Sequence, residues 1–213
     1  MKSLFDSEGP LVSFLTTLCN LMIVNLLTFM LCLPVVTAGA AFTAADYVLY
    51  HMVQKTDSYI VRSYFKSFRE NFRQATVIWL LYLLVIVTGA MDVYIIRHSE
   101  TQVSSGLVVV LVVIAAVFLS GMIYTFAYLM RYTDRTGTVL KNAWILDFSN
   151  LPRSALMVVV TGGAIYAAVR FYVYLLPIYM LLGIAGTGMF DMYLMKGIFE
   201  KLENPHGREA ENT

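Results

Sequence analysis

The stretch CLPVVTAGAAFTAADYVLYHMVQKTD, residues 32–57, is mostly apolar but has a proline near its start and an aspartate in its middle. Between Val35 and Val53 its only formal charge is Asp46, and this length is close to the roughly 20 apolar residues of a membrane-spanning helix. A signal peptide cleaved before Gly39 is the competing interpretation, but the apolar run ahead of that glycine is longer than the usual stretch of about 7–15 residues. The stretch therefore predicts a retained membrane helix.

The whole chain has the composition of an integral membrane protein. Of its 213 residues, 59% are hydrophobic and 14% are charged, whereas soluble domains have about 45–50% and about 25%. The mean hydropathy is +0.70. We therefore predict a single all-α domain, 1–213, that forms a polytopic membrane helix bundle. Its predicted transmembrane helices are 11–33, 35–53, 76–96, 106–130, 154–172 and 175–195.

The basic residues predict how this bundle is oriented, because lysine and arginine close to membrane helices are retained on the cytoplasmic side. Six spans place both termini in the cytoplasm, together with loops 54–75 and 131–153 and the tail 196–213. All of the 15 lysines and arginines then lie inside except Arg97 and Arg170. Without the span at 35–53, the amino terminus would lie outside.

The two predicted cytoplasmic loops are similar in sequence, which indicates an internal repeat. Each similar segment starts at a tyrosine, Tyr47 or Tyr124, and has Thr-Asp nine residues later. The later correspondences pair Asn71, Arg73 and Ala75 with Asn150, Arg153 and Ala155. Because both segments run in the same direction through the membrane, we predict a parallel duplication of a span, loop and span unit.

Aromatic and basic residues recur at helical spacing in both loops, which predicts amphipathic helices at the membrane interface. One interpretation is that these helices only anchor the bundle. The other is that they form a docking surface for a cytoplasmic partner or for anionic lipid. The candidate docking residues are Tyr64, Phe65, Lys66, Phe68, Arg69, Phe72 and Arg73 in the first loop and Trp144, Phe148 and Arg153 in the second.

Asp46 is the candidate binding residue, since an acid inside a membrane helix is costly and seldom faces lipid. One hypothesis is a polar cavity in which Asp46 binds a solute or a proton. The alternative is a structural hydrogen bond to a neighbouring helix, for which Asn20 and Asn25 are candidate partners. Helical spacing predicts that further polar groups lie on the same face or the adjacent stripe of this helix: Thr43, Tyr50, Tyr47 and His51.

The sequence has no recognisable catalytic or cofactor motif, so we expect no enzyme and no cofactor. The phosphate loop, the zinc-protease pair and the Gly-x-Ser-x-Gly elbow are all absent from it. Asp191, in the last span, follows GTGMF, but it lies two residues too late for the signature of intramembrane aspartyl proteases. The three histidines are too scattered for a metal site, and the basic loops lie against the membrane, where binding of nucleic acid is not expected.

A set of short motifs carries a resemblance that covers nearly the whole chain, from about Leu18 to Phe199. It consists of Asn25, Leu33-Pro34, Thr37-x-Gly39, Phe65-Phe68-Asn71-Phe72 and Asn150-Leu151-Pro152. With these motifs the chain resembles the YesL family of bacterial multi-pass membrane proteins, whose domain is one of unknown function. The resemblance implies a bacterial plasma-membrane location and genes beside those for carbohydrate ABC transporters and polysaccharide degradation. It implies no catalytic residue.

Two functions are therefore expected. The first is an accessory or regulatory component of ABC-type carbohydrate uptake, with the lipid bilayer, a transporter permease and a solute-binding component as partners. The alternative is a small solute transporter or solute-binding membrane protein that uses Asp46. Whether the chain forms an oligomer is open at this level.

Overall fold

A computed structural model describes residues 10–56, 59–98, 105–171, 174 and 177–203, and these ranges contain helices and no strand. The predicted all-helical class is therefore confirmed. A 3₁₀ turn, Val35–Thr37, precedes the second helix, and a π-helical turn, Tyr179–Gly183, precedes the last. The α-helices are α1 (Pro10–Cys32), α2 (Ala38–Gln54), α3 (Ile60–His98), α4 (Ser105–Leu129), α5 (Thr136–Ser149), α6 (Leu151–Arg170) and α7 (Ile184–Glu203).

Four helices in the described part of the chain are long and apolar enough to cross a membrane: Leu11–Cys32, Ile60–Ile96, Gly106–Leu129 and Leu151–Arg170. They support an integral membrane protein. The other two predicted spans, α2 and α7, differ from these four. α2 has only 17 residues, about 25 Å of helix against about 30 Å of hydrocarbon. α7 is charged toward its carboxyl end, at Lys196, Glu200, Lys201 and Glu203.

Several predicted features lie outside the described residues. They are Asp57 of the first repeat segment, the end of the predicted span 154–172 together with residue 173, the start of the predicted span 175–195 at 175–176, and the predicted tail beyond residue 203.

The two repeat segments fold differently at one point. α3 is a single helix of 39 residues, which joins the predicted first loop and the span after it. The second segment is divided between α5 and α6, and the break falls at Asn150. Pro152 is the cause, because proline lacks the backbone N–H of a helix interior and disfavours helical geometry in the residue before it. The corresponding place in α3 has Phe72 and no proline, so the helix continues.

α2 is the central helix of the bundle and packs against α1, α3, α4 and α7. Its contact with α3 is closest at Gly39, where an added Cβ would lie 2.4 Å from the Trp79 Cβ and 2.7 Å from the Ala75 carbonyl oxygen. The Trp79 Nε1–H donates a hydrogen bond to the Val35 carbonyl, at 2.7 Å, in the turn before α2. The stretch at 32–57 thus supplies the helix around which the others pack.

Candidate functional site

A cavity of about 210 Å³ lies between α2, α4, α6 and α7, near the middle of α2 and α6. Most of its wall is apolar, and α6 adds Thr161 and Ile165. Two acidic side chains line it, Asp46 from α2 and Asp191 from α7. Among the described residues around it there is no lysine, arginine or histidine. The structure therefore brings two acids, far apart in sequence, to one cavity in the middle of the bundle.

Equivalent positions of the two repeats line the same cavity. α2 and α4 each contribute four residues to the lining. Each of those from α2 pairs with one from α4, and the two members of a pair are as far apart in sequence as Tyr47 and Tyr124. In this alignment Asp46 of α2 corresponds to Ile123 of α4. The pairs are Phe42 with Leu119, Ala45 with Met122, Asp46 with Ile123 and Leu49 with Phe126. This match supports the predicted duplication and shows that only one repeat supplies an acid here.

The two acids are held in different ways. Asp191 is only 4% exposed, and its Oδ2 accepts a hydrogen bond of 3.0 Å from the Thr161 hydroxyl of α6. Its Oδ1 is buried and has no hydrogen-bond partner among the described residues. Asp46 is half-buried, and no described side chain donates a hydrogen bond to it. Both carboxyl groups line the same cavity. Like charges in an apolar wall repel, so the cavity favours a positive charge or bound protons.

The other polar residues predicted beside Asp46 do not line the cavity. The buried Thr43 hydroxyl donates to the Gly39 carbonyl at 2.9 Å, and the His51 ring is hydrogen-bonded to the Tyr47 carbonyl at 2.8 Å. Both bonds stay within α2. Tyr50 belongs to a separate cluster at the carboxyl end of the helix. Asp46 is thus the one member of the predicted group that lines the cavity.

The cluster at the carboxyl end of α2 centres on Arg131. The Arg131 guanidinium donates to the Tyr50 hydroxyl and forms an ion pair with Glu203 at the end of α7. It also lies over two aromatic rings, 4.9 Å from the centroid of Tyr50 and 5.1 Å from that of Phe199. Partial burial opposes its charge, but the hydrogen bond to Glu203 and the electrostatic attraction of Glu203 and Tyr50 together outweigh this effect and raise the pKa of Arg131. The cluster therefore joins α2, α4 and α7 through a guanidinium that stays charged.

Asn25 explains why Asp46 has no amide partner from α1. The Asn25 side chain is fully buried and is hydrogen-bonded to the last helical segment instead. Its Nδ2 donates to the carbonyls of Tyr179, at 3.2 Å, and Met180, at 2.6 Å. Its Oδ1 accepts the backbone N–H of Ala185 at 2.9 Å. A π-helical turn leaves backbone groups without their usual α-helical partners. Asn25 bonds two carbonyls within the turn and one N–H just after it.

The first group of docking residues is only partly exposed. Tyr64 is fully buried, and its hydroxyl lies 3.1 Å from both the Thr28 hydroxyl and the Ala41 carbonyl. Tyr64 therefore links α3 to α1 and α2, and its side chain is not exposed for contact with a partner. Phe68 is half-buried. The remaining residues form an exposed face of α3: Phe65, Lys66, Arg69, Phe72 and Arg73.

The second group divides in the same way. Phe148 is exposed, whereas Trp144 is half-buried and packs on Gly121, where an added Cβ would lie 2.8 Å from the indole Cζ2. Arg153 is half-buried, with its guanidinium beside Gly197 of α7. Its Nη1 is buried and has no hydrogen-bond partner within the described ranges. Arg153 is therefore part of the packing between α6 and α7.

A second buried acid, Asp147 of α5, is not among the residues that the sequence singles out. It is 2% exposed, its Oδ2 accepts a 2.8 Å hydrogen bond from the Ser120 hydroxyl, and its Oδ1 has no described partner. Helical periodicity could have located it, because Val139, Ala143 and Leu146 are buried on the same face of α5. No group of three or more histidine, cysteine or acidic side chains that could hold a metal occurs among the residues that the structure describes.

The helices and the acidic cavity define a polytopic α-helical membrane protein with a small interior site. Residues 21–93, about a third of the chain, match a family described as "Protein of unknown function, DUF624". The match covers about half of α1, all of α2 and most of α3, so it includes Asp46 and not Asp191. No curated protein and no solved structure matches the chain. These findings support an integral membrane protein that is similar, over residues 21–93, to a family of unknown function.

Proposed function

We propose that the protein binds a small solute in the cavity between its repeats and moves that solute through the bilayer. The observation that carries the proposal is the cavity of about 210 Å³ lined by Asp46 and Asp191. An acid inside a membrane bundle is costly and is kept where it lines a site or a pathway. Because this cavity holds two acids, the free-energy cost of burying an acid arises twice. Such a cost favours a binding function over a purely structural one.

The position of the cavity supports the same proposal. In many transporters with internal repeats, the substrate site lies near the middle of the bilayer and at the interface between the repeats. Here the wall combines equivalent residues of α2 and α4 with Thr161 of α6, which is near the middle of its helix. We propose binding and transport rather than catalysis, since the sequence carries no recognisable catalytic motif.

A variant that fills the cavity tests this proposal. Ile165 lines the cavity from α6 but is 43% exposed, so a larger side chain there can enter the cavity without replacing a core residue. We expect Ile165→Trp to abolish binding of any solute that stabilises the wild type. The measurement is the thermal unfolding of purified protein with a panel of monosaccharides, amino acids and alkylamines, since a bound ligand stabilises the folded state. Uptake of each stabilising solute into liposomes that contain the protein then tests transport.

Val169→Trp is the matched control. Val169 lies one turn further along α6, is 72% exposed and does not line the cavity. The control should bind and transport like the wild type. Stabilisation that persists in Ile165→Trp, or no stabilisation by any member of the panel, would contradict the proposed function.

A second candidate function is an accessory role in ABC-type carbohydrate uptake in a bacterial plasma membrane. The resemblance to the YesL family suggests it, and the exposed face of α3 favours it. This face combines two aromatic rings, Phe65 and Phe72, with the cations of Lys66, Arg69 and Arg73. With both termini in the cytoplasm, as the basic residues predict, the face would lie at the cytoplasmic surface, within reach of a permease.

Crosslinking in cells tests the second candidate. The wild type should recover a carbohydrate permease or a solute-binding component after mild crosslinking, and Phe72→Glu should lose it. Tyr94→Glu, at an exposed position near the other end of α3, is the control. This role would be refuted if the wild type recovered neither component.

A further inference from the structure

The charges around the cavity indicate what kind of solute it accepts. Asp46 and Asp191 contribute two carboxylates, and the described lining contains no basic side chain. Two ionised carboxylates in an apolar wall repel each other and lose their hydration. A ligand with a positive charge offsets both costs, whereas a neutral or anionic ligand offsets neither.

Each carboxylate has an acceptor available for such a ligand. The Thr161 hydroxyl occupies only Oδ2 of Asp191, and Oδ1 has no partner among the described residues. Asp46 receives no hydrogen bond from any described side chain and is partly accessible. Asp46 is therefore the direct partner for a bound cation, and the more deeply buried Asp191 adds a second carboxylate to the same cavity.

The rest of the cavity wall indicates that the uncharged part of the ligand is apolar. α2 and α4 supply Phe42, Leu49, Leu119 and Phe126, and α6 supplies Ile165. These side chains bind apolar groups and offer no hydrogen bond. A sugar has a hydroxyl on most of its carbons, and in such a cavity many of those hydroxyls would have no hydrogen-bond partner.

A bare metal ion fits the site poorly. Hard divalent cations take about six to eight oxygen ligands, and the described cavity wall offers two carboxylates and few other oxygens. A group of three or more metal-binding side chains is absent from the described part of the chain. The cavity of about 210 Å³ also has room for an organic body.

We propose that the cavity binds a small organic amine, with its ammonium group at Asp46 and Asp191 and its apolar body against the phenylalanine and leucine side chains. This inference rests on the proposed function, since it names the class of solute for the same cavity. It assigns Asp46 as the contact for the charge and Asp191 as the residue that strengthens the negative potential.

The experiment compares two probes of the same shape, 2-phenylethylamine and 2-phenylethanol, by their binding to purified full-length protein. Wild type should bind the amine at least tenfold more tightly than the alcohol. Asp46→Asn and Asp191→Asn should each weaken amine binding at least tenfold and leave alcohol binding unchanged. Asp92→Asn removes an exposed acid outside the cavity and should change neither.

The outcomes separate this inference from the proposed function. Equal binding of amine and alcohol by wild type, or amine binding that survives both substitutions, would overturn the amine assignment. If a neutral sugar binds and Ile165→Trp removes its binding, the proposed function stands and the amine assignment fails. If Ile165→Trp alters the binding of no probe, the cavity is not a solute site and both proposals fail. Retention of thermal stability by each Asp→Asn variant shows that it is folded.

Discussion

Replacing Gly39 by valine is expected to lower the free energy of unfolding by about 3 kcal/mol, because overpacking that meets backbone atoms cannot relax cheaply. A Cβ at this position would lie 2.7 Å from the Ala75 carbonyl oxygen and 2.4 Å from the Trp79 Cβ. To relieve the contact, α2 must move away from α3, and the hydrogen bond from Trp79 to Val35 then breaks as well. Thermal unfolding in detergent measures the effect.

The matched control is Gly89→Val. Gly89 is a helical residue of α3 with nothing within 4 Å of its added Cβ, so the same substitution meets no neighbour there. Its unfolding temperature should stay close to that of wild type. Similar unfolding temperatures for the two variants would show that α2 and α3 do not pack as closely at Gly39 as the structure indicates.

Replacing Asn25 by leucine is expected to cost about 3 kcal/mol or more, since each buried group left without a hydrogen bond costs about 1–3 kcal/mol. The side chain is fully buried, and leucine has a similar size but no donor or acceptor. The substitution therefore leaves the carbonyls of Tyr179 and Met180 and the N–H of Ala185 without this partner. Because Tyr179 lines the cavity, we expect solute binding to weaken together with the thermal stability.

Asn20→Leu on the same helix is the control. The Asn20 side chain is half-buried in a groove at the surface, beside Tyr59 and Phe65, so its loss should change the unfolding temperature by less than a third as much. An Asn25→Leu protein as stable as Asn20→Leu would mean that the π-helical turn does not depend on α1.

The helical class and the position of α2 could be predicted because they depend on local patterns. Uninterrupted apolar runs of about 20 residues have few other stable arrangements in a membrane protein. The break between α5 and α6 also follows from local geometry, at Pro152, although the sequence was interpreted there only as a loop over 131–153. The continuous α3 was not anticipated, because a charged segment next to an apolar one resembles a loop in composition even when the helix runs through both.

The candidate site could be predicted only in part. Asp46 stood out because an acid inside an apolar run is costly wherever it points. The face of α2 that lines the cavity includes Ala45 and Leu49, whereas spacing along one helix suggested Thr43 and Tyr50 instead. Spacing identifies which residues of a helix are neighbours but not which neighbouring helix each of them meets. The repeat alignment, which pairs the cavity residues of α2 with those of α4, is the sequence signal that could have identified the correct face.

The sequence by itself determined that the chain is an α-helical membrane protein, that the segment 35–53 contains one of its helices, and that Asp46 is the costly residue in it. These properties follow from the free energy of transferring side chains and backbone into an apolar medium. Each residue contributes to that free energy according to its own type, so the sequence is enough to predict them. Only the tertiary structure decided that Asp191 shares a cavity with Asp46 and that Asn25 binds the π-helical turn. Those pairings join residues far apart in the chain, so they depend on which helices pack together and in what rotation.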